Sequence, residues 1–332
     1  MIFNNKKLNA LIIGLGSISL RHRKNLKLLC PNIHIIGLPS SGKIENKDTD
    51  LIDEVILSID EIKKKIDFAI IASPSTFHFK YLKILFSERI PCLIEKPLAH
   101  NLHDAEQIMD IYNKTNIPAC VGYCLRYMPS AIKMKEILDQ KVLGKIYNVF
   151  VNVGQYLPDW RPSKNYQNTV SAKKFLGGGA LLELSHEIDY IQWLFGSLKV
   201  KYAKLRTSKE LNLDVEDLGD IIFESNKENI LCNLHLDFLQ KKPQRTCSII
   251  GEKGRIDWDL IKNTIKFHDK KNSEYLFFEK KWDNNNMYID LLKNFINSIK
   301  YQNINIPDLK QSLKVMELID DIKFLSKKDT SQ

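Results

Sequence analysis

No apolar run in this 332-residue chain approaches the roughly 20 residues that a bilayer-spanning helix needs, so no membrane partner is expected. Asn4, Asn5, Lys6 and Lys7 interrupt the N-terminus before any apolar stretch develops, and no signal peptide is predicted. The six cysteines (Cys30, Cys92, Cys120, Cys124, Cys232 and Cys247) form no CxxC pair and no metal-type spacing. They read as reduced, packed residues of a cytoplasmic protein with no metal site. Basic tracts are also missing. The net charge of +9 comes from lysines spread along the chain, with only short clusters such as Lys63–Lys65 and Lys270–Lys271. Without a basic helix carrying interleaved aromatics, diffuse charge describes a solvated surface and argues against nucleic acid as a partner. There is no internal repeat and no low-complexity linker. The length suffices for two domains, each with its own core.

The chain is organised around residues 8–23. Leu8–Ile13 is a short branched apolar run with the character of a buried strand. Gly14 and Gly16 follow at once, and Ile18, Leu26 and Leu29 then recur at roughly helical spacing up to Cys30. Strand, glycine turn and helix in this order suit a pyrophosphate. Gly14 permits the turn, Gly16 lets backbone approach the phosphates, and the helix N-terminus at Ser17 and Ile18 offers free N–H groups. The third position of the G-x-G-x-x-G pattern is Ser19. A second strand, Ile33–Leu38, ends in Pro39-Ser40-Ser41-Gly42-Lys43 with no acidic residue to hold a ribose 2′-hydroxyl. Two hydroxyls and Lys43 suit a 2′-phosphate better, so the reading leans to NADP and leaves NAD open.

Asp67–Ala72 reads as another buried strand. Ser73 and Pro74 begin its turn, and the helix that follows places His78 in its first turn beside the cofactor cleft. The next strand, Ile90–Ile94, ends in Glu95-Lys96-Pro97. Ligands bind at the carboxyl ends of parallel strands, which puts Lys96 at the crevice, and Pro97 restricts its path. A helix over Leu102–Lys114 and a strand over Ile117–Gly122 complete an alternation that argues for a doubly wound parallel sheet over residues 1–122.

Beyond Gly122 the pattern changes. A helix spans Met128–Gln140 and a long strand Lys145–Gln155. A loop from Tyr156 to Lys174 then carries Trp160 and Arg161 between prolines, residue types suited to binding. Gly177-Gly178-Gly179 opens a predicted helix over Ala180–Phe195 that bears Glu183, His186 and Asp189 at i,i+3 spacing, all on one face. An acid and a histidine so placed suit general acid–base work. Strand-like runs at 199–206, 218–224, 229–238, 246–251, 254–258, 264–268 and 275–279 predict a largely antiparallel sheet of six to eight strands. Helices at 286–300 and 308–326 close the chain, with its last few residues expected to fray.

The glycine turn at 14–19, Glu95-Lys96-Pro97, Gly122-Tyr123 with Arg126 nearby, and the glycine run followed by a helical His and Asp together resemble the Gfo/Idh/MocA family over nearly the whole chain. The resemblance implies an N-terminal Rossmann domain (1–122). It also implies a C-terminal α/β domain (123–332) whose open, mostly antiparallel sheet carries substrate on one face and often a subunit interface on the other. It further implies hydride transfer between NAD or NADP and a carbinol or carbonyl carbon of a sugar, polyol or nucleotide sugar, in a homodimer or homotetramer. By position, Lys96 matches the lysine of the family's Glu-Lys-Pro motif, His186 the common acid–base histidine, and Asp189 the acid of its H-x-x-D pattern. Where many members carry Asp four residues before that histidine, this chain has Leu182, with Glu183 next. Tyr123, Arg126, Trp160 and Arg161 are candidate substrate contacts, the arginines being suited to a phosphate or carboxylate. His186 or Lys96 is the base, with Glu183 as a candidate orienting group. Two other readings share the fold: a cofactor-recycling epimerase or hydrolase, and a non-catalytic dinucleotide-binding regulator.

Overall fold

Strand β1 (Asn9–Ile13) is buried along almost all its length and hydrogen-bonded on both edges. That is why it reads as a continuous apolar run rather than an alternation. The computed structural model describes residues 8–44, 48–163, 165–227, 229–301 and 306–328; the interruption read at Asn4–Lys7 and the terminal residues expected to fray lie outside them. After β1 come α1 (Ser17–Leu29), β2 (His34–Leu38), β3 (Glu54–Val55), β4 (Phe68–Ile71), α2 (His78–Ser87), β5 (Cys92–Ile94), α3 (Leu102–Tyr112) and β6 (Ala119–Val121). The six strands form one parallel sheet in the order β3-β2-β1-β4-β5-β6. Strand order reverses between β1 and β4, so the crevice beyond their carboxyl ends is the binding position of an open α/β sheet.

The α1 helix forms where its spacing predicts, but with a different buried face. Its interior side is Ser19, His22, Arg23 and Leu26, a polar i, i+3, i+4, i+7 stripe, while Leu28 is exposed. The larger polar side chains can occupy that face because they find hydrogen-bond partners there, His22 with Glu95 and Arg23 with backbone carbonyls.

The chain divides into two compact units: residues up to Cys124 together with Met287–Met316, and Leu125–Asn286 together with residues from Glu317 on. A boundary at residue 122 with everything beyond it in one domain therefore misses a return of the chain. The returning segment buries Leu291, Leu292, Phe295 and Ile296. Phe295 packs edge-on against Phe68 of β4, ring centroids 5.8 Å apart, so the apolar stripe of this late helix completes the first unit's core.

In the second unit, α4 (Pro129–Asp139) and β7 (Ile146–Gly154) precede α5 (Ala180–Glu183) and α6 (His186–Phe195). Then follow β8 (Leu198–Arg206), β9 (Leu218–Ser225), β10 (Leu231–Asp237), β11 (Gln244–Gly251), β12 (Gly254–Asp259), β13 (Thr264–His268) and β14 (Ser273–Phe278). Helices α7 (Asn285–Tyr301) and α8 (Leu309–Lys328) end the described chain. The eight strands run in the order β14-β13-β12-β11-β7-β10-β9-β8, antiparallel except for the β7–β10 pair. Strict alternation gives the sheet two unlike faces. Val149, Val151, Cys232, Leu234, Ile249 and Trp258 are buried, whereas Phe150, Ile250 and Tyr275 are exposed. On the buried side Trp258 meets Tyr190 of α6 edge-on at 5.3 Å and donates its indole N–H to Ser130 of α4 at 2.9 Å.

The predicted single helix over 180–195 is two helices. Leu184, with φ −99° and ψ 23°, ends α5, and Ser185 precedes α6. Glu183 and His186 therefore sit on different helices; only His186 and Asp189 keep the i,i+3 relation.

Candidate functional site

The nucleotide half begins at the turn after β1. Gly14 has φ +94°, its N–H donates to Leu38 O at 2.8 Å, and a Cβ there would collide with the Ala72 carbonyl at the end of β4. The glycine is thus required by two neighbouring strand ends that nearly touch. Gly16 differs: a Cβ on it would meet nothing within 4 Å. That open space lies at the start of α1, where no side chain caps the helix and no acidic residue occupies the first turn. Ser17 is exposed and Ile18 half-buried, so the orphan N–H groups and the positive dipole end face an unobstructed approach. These residues fit the pyrophosphate of a dinucleotide.

After β2, Ser40 is half-buried, and Ser41 and Lys43 are exposed. The Tyr81 hydroxyl donates to Ser40 O at 3.2 Å, and the buried Arg23 guanidinium of α1 donates to the carbonyls of Asp48 and Asp50. Ser73 is buried and Pro74 half-buried at the end of β4.

His78 is not beside an open cleft. It is fully buried, its two ring nitrogens 3.2 Å from Leu98 O and 3.1 Å from Ser73 O, and burial lowers its pKa. It ties the turn after β4 to the segment following Lys96, which leaves it no surface for a cofactor. Glu95 is likewise turned inward: its Oε1 lies 2.6 Å from Nε2 of His22, a fully buried histidine of α1. His22 carries no motif; only its place three residues beyond Ser19, on the stripe that proves to be buried, could have singled it out. Lys96 is half-buried and Tyr123 is 1% exposed.

In the second unit the candidate residues are gathered by ion pairs. Asp189 accepts from Arg126 Nε at 2.8 Å and Nη2 at 2.6 Å, with both side chains buried, and the Arg126 guanidinium also lies 5.7 Å from the Trp193 ring centre. Burial pushes the Asp189 carboxyl up against the opposing pull of Arg126. Arg126 and Asp189, both expected as substrate contacts, form a bidentate clamp on α6 in which each offers its charge to the other. Beside His186, Glu187 is fully buried and accepts from Arg245 of β11 at 2.7 and 3.0 Å. Sequence spacing missed this pair because its members lie 58 residues apart. His186 and Glu183 are half-buried. Trp160 donates its indole N–H to Gln155 O at 3.2 Å and packs edge-on against Phe238 at 5.2 Å, so it braces its loop, while Arg161 is exposed. Among the described residues no group of three His, Cys, Asp or Glu side chains could hold a metal ion.

A parallel sheet with order 3-2-1-4-5-6, a glycine turn and an uncapped helix defines a dinucleotide-binding Rossmann unit, here joined to an open-sheet α/β unit. The chain belongs to the Gfo/Idh/MocA family: the description "Oxidoreductase family, NAD-binding Rossmann fold" matches residues 8–123, and "GFO/IDH/MocA C-terminal domain" matches residues 131–257. Among curated relatives, Oxidoreductase P35 of Formosa agariphila is 26% identical over 197 residues, 59% of this chain and 60% of that protein. The chain thus spans about 60% of the length of that relative. Myo-inositol 2-dehydrogenase of Thermotoga maritima is 23% identical and is covered over 87% of both chains. Among solved structures, levoglucosan dehydrogenase in complex with NADH and levoglucosan superposes with a TM-score of 0.84 at 16% identity, over 97% of this chain and 98% of that one.

Proposed function

We propose that this protein is an NAD(P)-dependent dehydrogenase or reductase acting on a CH–OH group of a sugar, polyol or nucleotide sugar. The observation that carries the reading is the glycine turn with its uncapped helix, where Gly16 faces open space. When bound, the nicotinamide supplies a hydride acceptor or donor. Of the chain's own residues, His186 takes the hydroxyl proton in oxidation and returns it in reduction, a task matched to an imidazole near neutral pH. Lys96, as an ammonium, orients that oxygen and stabilises negative charge developing on it. Trp160 and Arg161, with the buried Tyr123, are assigned to the substrate side by residue type, and Glu183 to orienting His186. Ser40, Ser41 and Lys43, with no acid in residues 39–43 directly after β2, support NADP over NAD.

The exposed sheet face bearing Phe150, Ile250 and Tyr275 supports a homodimer or homotetramer, and the six buried, unbridged cysteines suit a reducing cytoplasm. No helix among the described residues is long and apolar enough to cross a membrane. The test is a side-by-side titration of NADH and NADPH by fluorescence, followed by cofactor reduction against polyols, hexoses and UDP-sugars. Tighter NADPH binding supports the assignment of Ser40, Ser41 and Lys43; binding of neither by folded protein overturns the enzyme reading. Turnover that survives both Lys96→Ala and His186→Ala overturns the assigned roles.

A further inference from the structure

Shortly before His186 the chain passes through a glycine run whose N–H groups bond back to Lys174 O, Lys173 O and Ser171 O, each at 3.0 Å. Gly177 (φ +80°) and Gly179 (φ +111°) are left-handed, and a Cβ on Gly178 would collide with the carbonyls of Val170 and Ser171. The α5 helix that follows has four residues, too few for helix propagation to stabilise it. Its first N–H groups are instead taken up by one residue. The Glu216 backbone carbonyl accepts from Ala180 N–H at 3.0 Å, and its carboxylate Oε1 accepts from Leu181 N–H at 3.1 Å. The fit is close, because a Cβ on Gly179 would run into that same carboxylate.

Glu216 is itself held by the sheet. Its neighbour Asp217 donates its N–H to Arg206 O of β8 at 3.1 Å and accepts from the Ser208 N–H at 2.8 Å. Downstream of His186, Glu187 is clamped by Arg245 and Asp189 by Arg126. His186 therefore lies between two sets of anchors, and in the upstream set Glu216 takes the first two N–H groups of α5.

We propose that Glu216 is a positioning residue: it fixes the Gly177–Glu183 segment and thereby sets the backbone on which His186 enters α6. The proposal rests on the reading of His186 as the acid–base group. Burial raises the Glu216 carboxyl above its usual range, opposed by backbone N–H groups, Leu181's among them, and then by the half-buried Lys323 ammonium. Protonated or ionised, the carboxyl keeps an oxygen that can accept from Leu181 N–H. What matters is the acceptor at that place, so Gln should substitute and Ala should not.

The test uses the full-length protein with Glu216→Gln and Glu216→Ala, read by hydrogen exchange of peptides covering residues 179–186. The second readout is the pH profile of His186 modification by diethyl pyrocarbonate, quantified on its own peptide. For Glu216→Ala the segment should exchange about tenfold faster, the weight of one lost hydrogen bond, and the His186 rate profile should move by at least about threefold. Glu216→Gln should keep both within about twofold of the parent. An unchanged segment in the Ala variant, or a Gln variant as perturbed as Ala, overturns the proposal. A purely stabilising role would lower the unfolding temperature and leave the His186 profile in place, which also overturns it. If Glu216→Ala does not fold, Glu216→Asp, which withdraws the acceptor by one methylene, is judged against Glu216→Gln by the same criteria. Failure of the acid–base reading shows separately, as turnover retained by His186→Gln with the exchange result intact.

Discussion

Replacing Arg245 by Met leaves the Glu187 carboxylate without its counter-ion in the interior of the second unit. The side chain of Glu187 is 0% exposed and that of Arg245 25%, and the pair is bidentate at 2.7 and 3.0 Å. Water therefore reaches part of the Arg245 side chain but none of the Glu187 side chain, and the group left behind is the one cut off from solvent. Breaking such a pair from one side costs about 3–5 kcal/mol, because the desolvation of the remaining ion is no longer offset. In a unit of this size about 2–4 °C of unfolding temperature accompanies each kcal/mol, so a loss near 10 °C is expected. Replacing both partners, Glu187→Leu with Arg245→Met, removes the buried charge altogether and should recover to within about 1 kcal/mol of the parent. Thermal unfolding with urea titration of the parent, the single and the double variant measures this. A single variant within about 1 kcal/mol of the parent, or a double variant no better than the single, would refute the reasoning.

Three further outcomes are expected. His235 sits between Asp220 at 2.6 Å and Asp237 at 3.0 Å, and chiefly Asp237, with Asp220, raises its pKa. Its contribution is then full below the ordinary histidine pKa and fades as pH rises through the elevated value. The stability difference between parent and His235→Gln should be largest near pH 5.5 and shrink toward pH 8.5; a gap that stays constant would show the pair does not titrate with folding. Tyr190 buries a hydroxyl with no hydrogen-bond partner among the described residues, so Tyr190→Phe should be neutral or stabilising by up to about 1 kcal/mol in chemical denaturation. A clear loss would reveal a partner for that oxygen. Gly16→Ala should leave the unfolding temperature near that of the parent while weakening NADH at least about tenfold, whereas Gly14→Ala should lower both, because only Gly14 is pressed against the Ala72 carbonyl. Equal NADH affinity in Gly16→Ala and the parent would remove the pyrophosphate from this turn.

Local signals carried much of the fold. The apolar runs at 8–13, 67–72 and 90–94 became β1, β4 and β5, and the seven runs between 199 and 279 became β8–β14 with ends displaced by only a few residues. The helix boundaries were harder. Nothing in Ala180–Phe195 announces the break at Leu184, since neither glycine nor proline lies there and the apolar spacing runs straight through it. The partners of the candidate residues were illegible too. His78 does start α2, as read, but is buried as a strut rather than open to a cleft, and the pairing of Arg126 with Asp189 could not be read from their spacing.

Composition, periodicity and the short motifs were enough to give two α/β units, a glycine turn at Gly14–Gly16 opening a helix, and the family to which the chain belongs, because each depends on contacts within a few residues or on the repeat of a single element. The tertiary structure decided which polar groups are spent: His22 on Glu95, Arg126 on Asp189, Arg245 on Glu187, Glu216 on the start of α5. Those pairings span 35 to 73 residues. At such separations no propensity or spacing operates, and a buried charge takes whichever partner the folded backbone brings within about 3 Å, since leaving it alone costs more than any local preference can supply.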